Sequence, residues 1–356
     1  MRRGMKGIKH YIIPVFIPHY GCTHQCIFCN QQKITGAATP VDAGYVQQTI
    51  DLHVERITEP RYIEVAFYGG SFTALPINEQ RQLLLPAYQA WQDGKVNGIR
   101  LSTRPDCISE EIIDNLLAYQ VTVVELGVQS LDEQVLAKAQ RGHTVDDVTS
   151  AVHLLRGRQI PFGIQIMPGL PGEDQLSLLV TANRAVALKP HFARLYPTIV
   201  IDKTELATQY RQGQYQPLTL EKAIQYTAFL KLFFEQHSIP VIRTGLQATE
   251  ELDKGTTVLA GPYHPAFGEL VDGYLFYQMG LKALEAARPS TEPIIIRHHR
   301  RDHSKIRGIS NCYFTKLQQA AQRPIKLLEG NLQEGEISLE EGLSQQIISR
   351  KMLFFT

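Results

Sequence analysis

The chain has 356 residues, 44% of them hydrophobic and 20% charged, with a formal net charge of +1. That is enough apolar material for a large core, as one large domain with a smaller one or as two comparable domains. A near-neutral total argues against a protein coated by nucleic acid but leaves room for a local basic patch. No run approaches the roughly eighteen apolar residues of a membrane span. The apolar part of the N-terminus is short and broken by Pro14 and Pro18, which makes a poor signal peptide. Five cysteines, mostly clustered, do not look like a disulfide framework, so the cytoplasm is the expected compartment.

Residues 11–17, rich in Ile and Val, read as a buried strand. The cysteine loop follows, then a Gly/Ala/Pro stretch at 36–40 and a helix over about 42–57. The pattern then recurs. A strand at 62–68 ends at Gly69-Gly70-Ser71 and leads to a helix at 78–91. One at 98–103 ends at Arg104-Pro105-Asp106, with Ser109 capping the next helix. One at 121–128 ends at Gln129-Ser130, with helices from Asp132 and near Thr144. One at 162–167 ends at Pro168-Gly169-Leu170-Pro171-Gly172 before a helix at 174–188, and one at 192–196 precedes a helix at 219–236.

Six strand–helix units in a row predict a parallel sheet with right-handed crossovers. They fall short of the eight that close a barrel, so the expected fold is α/β, an open partial (β/α)6 TIM-type barrel over residues 1–240. A small α+β domain is expected over 241–356. It would hold a possible further strand at 241–243, a helix at 269–287, a strand at 293–298, a helix at 311–322, a strand at 325–329 and a polar end. In such sheets the ligand sits at the carboxyl ends of the strands, where every polar or glycine-rich stretch just named falls.

The first of those stretches holds Cys22, Cys26 and Cys29, spaced C-x3-C-x2-C. Closely spaced thiolates suggest metal ligation. With His24 they could make a closed zinc site, and as three thiolates they could hold a cubane iron–sulfur cluster with one iron left open. Cys107 and Cys312 read as small packing residues.

This spacing after the first strand, with Phe28 before the last cysteine, resembles the radical S-adenosylmethionine (SAM) enzymes. The resemblance implies that Cys22, Cys26 and Cys29 hold a [4Fe–4S] cluster, reduced by an external electron donor. Its free iron would chelate SAM, and one-electron cleavage would yield a 5′-deoxyadenosyl radical that abstracts a substrate hydrogen. It also implies cofactor contacts: Gly69, Gly70 and Ser71 toward the methionine amino group, Gln129 and Arg141 toward the cofactor and its carboxylate, and Gln165 toward the nucleoside. Arg194 would be a further charge near the same mouth. Ser102 stands where many relatives carry a ribose-binding glutamate, a departure from the pattern. The plain alternative is that several of these are turn, cap or strand residues.

Five strings in order are similar to the radical half of the Elongator catalytic subunit: Phe67-Tyr68-Gly69-Gly70-Ser71-Phe72, Ser102-Thr103-Arg104-Pro105-Asp106, residues 124–130, Arg141-Gly142-His143-Thr144 and Leu195-Tyr196-Pro197-Thr198. The likeness covers roughly residues 8–245 and implies modification of tRNA wobble uridine. A more distant likeness points to oxygen-independent coproporphyrinogen oxidases, which usually carry a further cysteine where this chain has Gln31. The Elongator family continues into an acetyltransferase domain, and no R-x-x-G-x-G/A turn follows Pro240 here. RNA could be met by two basic segments, Arg2, Arg3, Lys6 and Lys9 at one end and Arg297, Arg300, Arg301, Lys305 and Arg307 at the other. His298, His299 and His303 are expected to face solvent, with His298, His299, Tyr313 and Phe314 as candidates for stacking on bases. The rival readings are a small-molecule radical enzyme and a zinc-stabilised RNA-binding module without redox chemistry.

Overall fold

The computed structural model describes residues 9–17, 22, 25–30, 41–59, 61–247, 250–253, 257–285, 287, 291–341 and 344–353. Arg2, Arg3, Lys6, His24 and the 36–40 stretch lie outside them. The strand–helix rhythm runs as β1 (Lys9–Ile17), α1 (Ala43–Glu55), β2 (Arg61–Gly69), α2 (Ile77–Gln92), β3 (Gly98–Thr103), α3 (Glu110–Ala118) and β4 (Val121–Gln129). It continues with α4 (Glu133–Lys138), α5 (Val145–Gly157), β5 (Phe162–Ile166), α6 (Gln175–Ala187) and β6 (Phe192–Leu195).

Then come β7 (Val200–Ile201), α7 (Glu205–Arg211), α8 (Leu220–Gln236), β8 (Val241–Thr244) and β9 (Val258–Ala260). Seven strands form a parallel, curled half-barrel sheet in the order β1-β2-β3-β4-β5-β6-β8. The six expected units are present, and the possible strand after Pro240 supplies the seventh.

The helices start where the sequence offers a cap. Asp42 accepts from Tyr45 N, Ser109 from Ile112 N and Asp132 from Gln134 N and Val135 N. Thr144 with Asp147, and Asp174 with Ser177, close reciprocal capping boxes.

Alternation along each strand divides the sheet into two faces. Ile13, Val15, Val65, Phe67, Ile99, Leu101, Val124, Leu126 and Ile164 are fully buried on the helix-covered side, where Val46, Ile50, Leu84, Ile113 and Val148 are buried too. The other face carries His10, Glu64, Tyr68, Arg100, Ser102, Glu125 and Arg194 at the alternate positions. Contacts between residues of β2, β4 and β6 on this face identify it as the concave one.

Two compact units are present. One comprises Met1–Arg194, Thr198–Pro217 and Ala248–Gly261, and the other Leu195–Pro197, Leu218–Gln247 and Pro262–Thr356. The second unit is built on α9 (Phe267–Glu285), β10 (Ile294–His298), α10 (His303–Arg307), α11 (Cys312–Ala321), β11 (Ile325–Glu329), β12 (Glu336–Glu341) and β13 (Ser344–Ser349). Its sheet runs β11-β10-β12-β13, with β10 and β11 parallel and the rest antiparallel. Met279, Phe276, Ile296, Ile337 and Leu317 are in its core. The polar end of the sequence therefore forms a hairpin rather than a tail.

Candidate active site

The cysteine loop leaves the carboxyl end of β1 and is held down by its apolar residues. Ile27 and Phe28 are buried with Cys26 against Val135, Ala139, Leu170, Leu206 and Tyr215. The backbone adds Leu206 N to Ile27 O at 2.8 Å, Ile27 N to Ala139 O at 3.4 Å and a turn from Cys29 N to Cys26 O at 3.0 Å. Cys26 is buried, Cys29 partly so and Cys22 exposed, and none of the three is in a disulfide. Among the described residues no three His, Cys, Asp or Glu side chains already converge as metal ligands. The three-thiol set is carried by loop spacing, not by preset geometry.

Gly69 has φ +107°, and a Cβ there would meet the Ile17 backbone at 3.2–3.3 Å. Gly70 N donates to Ile17 O at 2.8 Å. The glycine pair thus lets the end of β2 close on the end of β1 just before the cysteine loop. Ser71 is buried and committed to protein: its hydroxyl lies 3.0 Å from Thr103 Oγ1 and accepts from Arg104 N at 3.2 Å. Cys22 is exposed as a residue but its sulfur is partly covered, which pushes the thiol pKa up, opposed by the Ser71 backbone N–H that hydrogen-bonds it.

The Ser71 hydroxyl also bonds Cys107, whose thiol pKa is raised by burial and by Asp106. Cys107 therefore shares Ser71 with Cys22, closer to the site than its place in the sequence suggested.

Beyond β4 the chain turns through Gln129 at φ +70°, a left-handed conformation that a side chain adopts at a cost of about 1–2 kcal/mol. Gln129 is buried and its Oε1 has no partner. Arg141 reaches the same place: Nη1 donates to Cys26 Sγ at 2.9 Å and Nη2 to Gly127 O at 2.6 Å, while its buried Nε has no partner. Ser102 Oγ is also buried without a partner. Gln165 is half-buried near the end of β5.

Two neighbours were quoted from the sequence without a role. Arg104 is held by Asp106 at 2.8–2.9 Å through Nη2 and Nε, leaving a buried Nη1. His143 sits 3.2 Å from Val128 O through Nε2, with Nδ1 unsatisfied. Burial and Arg141 lower its pKa to about 4, so it is neutral at pH 7.

Arg194 does not reach the mouth as an open charge. It pairs with fully buried Glu125, Nε to Oε2 at 2.7 Å, and donates from Nη2 to Tyr68 hydroxyl at 2.9 Å. Glu125 also takes Arg100 Nη1 at 2.8 Å, Arg100 Nη2 bonds Glu64 at 2.7 Å, and His10 Nε2 lies 2.6 Å from that same oxygen of Glu64. A ladder of alternating charge thus crosses the concave face at mid-strand height. Its signal was present in the sequence as single charges at the middle of apolar strands, Glu64, Arg100 and Glu125.

The second basic segment is partly neutralised, with Arg307 hydrogen-bonded only to the neutral His303 and Asn311. Arg297 pairs with Glu340, Arg301 with Glu334, and Lys305 with both Asp302 and Glu334. Lys9 pairs with Glu59 at 3.5 Å.

The expectation of solvent-facing histidines is corrected, because His298 is fully buried. His298 Nδ1 faces His299 O at 3.0 Å, and a carbonyl can only accept, so that nitrogen carries the proton. His298 Nε2 then accepts from His303 Nδ1 at 3.1 Å, and His303 Nε2 from Arg307 Nε at 2.9 Å. His298 is thus held inside this hydrogen-bonded chain, and Tyr313, also buried, is stacked on Tyr277, so neither is open to a base.

Residues 16–185 match the radical SAM superfamily and residues 190–276 the radical SAM C-terminal domain. A tRNA uridine(34) acetyltransferase of Methanocaldococcus jannaschii is 27% identical over 313 residues, covering 77% of this chain and 56% of the relative. Elongator complex protein 3 of Bos taurus is 28% identical over 186 residues, covering 47% and 34%. The chain thus spans about half or less of these relatives' length. The solved archaeal Methanocaldococcus infernus Elp3 with an N-terminal deletion shares the fold, with TM-score 0.59 and 24% identity over 75% of this chain and 63% of that one. The two family matches together run over most of the sequence, from the strand before the cysteines into α9, and on them the chain belongs to the radical SAM superfamily as a radical SAM enzyme.

Proposed function

We propose that this enzyme modifies an RNA nucleoside, with a uridine of tRNA as the substrate class, and that Cys22, Cys26 and Cys29 hold a [4Fe–4S] cluster beside bound SAM. The observation that carries the site is Arg141, a buried guanidinium that gives one N–H to Cys26 Sγ and keeps Nε without a protein partner. Gln129 Oε1 and Ser102 Oγ share that condition at neighbouring strand ends. Each such buried atom costs about 1–3 kcal/mol, and several at the ends of adjacent strands support a ligand that completes them.

When bound, the cluster and SAM would supply one-electron cleavage and hydrogen abstraction, reduced from outside by an electron donor. The chain's own residues orient them. Gly69, Gly70 and Ser71 shape the wall beside Cys22, and Gln129, Arg141 and Ser102 offer hydrogen bonds at the ends of β3 and β4. Gln165 borders the nucleoside side. Arg194 acts through Tyr68 and Glu125 as a positioning group rather than a direct ligand.

The RNA substrate is supported by the relatives' names, and the cytoplasm is where such an RNA would be met. Since the chain spans only part of those relatives, acetyl transfer is not carried over to it. The 297–307 segment keeps Arg300 and Arg307 outside its ion pairs, and these remain open to phosphate contacts with an RNA.

Anaerobic reconstitution with iron and sulfide tests this. A coloured protein that releases 5′-deoxyadenosine from SAM plus reductant, and shifts the mass of a tRNA nucleoside, is the expected result. Cys22→Ala, Cys26→Ala and Cys29→Ala should each abolish the cluster and Cys107→Ala should not. A protein that stays colourless and releases none would sink the cluster assignment. An active protein that leaves RNA untouched would move the substrate to a small molecule.

A further inference from the structure

Tyr68 on β2 touches Arg194 on β6, strands separated by three others in the sheet order, so the contact spans the hollow of the curled sheet. Phe16 is Tyr68's register partner on β1. Partners in a parallel pair project to the same side, so Phe16 faces that hollow as well. The two rings lie 6.2 Å apart, tilted by 41°. Phe16 is 36% exposed, while its neighbours Val15 and Ile17, on the opposite face, are 0% and 2% exposed.

A single exposed aromatic is ordinary on a protein surface. Phe16 differs in its place and its backing. It is the penultimate residue of β1, with the cysteine loop next in the chain. The ring beside it is pinned at its hydroxyl by a guanidinium that fully buried Glu125 holds in turn. An apolar face open to a polar hollow, next to a fixed aromatic, suits a flat ring that must be held without a duplex around it. Unpaired bases are bound in this way, by stacking on aromatic side chains.

We propose that Phe16 and Tyr68 form the stacking shelf for the reacting nucleobase of a single-stranded RNA substrate, with Arg194 and Glu125 fixing the shelf from below. The assignment rests on the RNA reading above. The Methanocaldococcus jannaschii relative is named for a uridine of tRNA, and a base turned out of its stack offers the flat face that this shelf can cover.

The test compares two probes on the full chain, reconstituted anaerobically and with SAM present. One is a short single-stranded RNA with a central uridine, and the other is the same RNA with an abasic centre. The wild type should bind the uridine probe roughly tenfold tighter, the size of one base–aromatic stack. Phe16→Leu keeps the site apolar and should bring the two probes to within about twofold, while Phe16→Trp should retain the preference. A structural role for Phe16 would not separate leucine from tryptophan in this way. Undiminished preference in both Phe16→Leu and Tyr68→Leu would overturn the shelf. Wild-type binding that ignores the central base would overturn it while leaving the RNA reading in place. Failure to bind either probe would overturn the RNA reading, and the shelf with it.

Discussion

The concave face of the sheet has two levels that treat polar groups in opposite ways. At mid-strand, Glu64, Arg100, Glu125 and Arg194 answer one another at 2.7–3.2 Å. At the strand ends and just beyond, Ser102, Gln129, Arg141 and His143 each keep a buried atom without a protein partner. Buried polar groups are normally satisfied. The lower level is completed within the chain, and the upper level is where the proposed cofactor would supply the missing partners. Each level can be broken separately, which makes the contrast testable.

The largest effect is expected in the ladder. Arg100→Leu leaves Glu64 and Glu125 as buried carboxylates without the guanidinium between them. Removing one partner of a buried pair typically costs about 3–5 kcal/mol. Urea unfolding should show a loss of that order, and a change below about 1 kcal/mol would mean the ladder is not structural.

The next effect is read by pH. His143 is held at about 4 from an ordinary 6.5, chiefly by burial and then by Arg141. Its folded pKa lies below the unfolded one, so its contribution is fully present above pH 6.5 and is lost as the pH falls from there through about 4. In that window the unfolded chain takes up the proton first. The loss should be on the order of 3 kcal/mol. His143→Asn, neutral throughout, should flatten this limb of the stability curve. A variant whose acid limb runs parallel to the wild type's would assign the slope to other groups.

What could be read in advance follows the same division. Local patterns were legible. Strand β3 and strand β11 have the bounds that their apolar alternation and flanking breaks predict, and the cysteine loop is named by its own spacing. The terminal hairpin was missed because Glu336 and Glu340 bracket only two apolar residues, Ile337 and Leu339, and Ser338 between them is polar in sequence yet as buried as they are. Long-range partnerships were less legible still. Arg194 was placed near the mouth because it lies on β6, but its charge is taken by Glu125, sixty-nine positions earlier in the chain. Cys107 passed as packing because no cysteine lies near it in sequence, whereas Ser71 brings it beside Cys22's partner. Register and curvature decide such pairs, and one chain's string of residues does not display them.

The smallest effects test the upper level, and their signs matter more than their sizes. Gln129 occupies a left-handed conformation with an unanswered Oε1, so Gln129→Gly should leave stability unchanged or raise it by up to about 1 kcal/mol. The same change should weaken SAM binding by roughly tenfold if that oxygen contacts the cofactor, one hydrogen bond's worth. Ser102→Ala removes a hydroxyl that is buried without a partner, and should stabilise the cofactor-free protein by about 1 kcal/mol. A residue selected for folding would show the reverse. The diagnostic result is therefore a pair of measurements on one variant, melting temperature up and SAM affinity down. If Ser102→Ala lowers both, the hydroxyl has an answering partner in solution. Its place would then be in the completed lower level rather than at the open one.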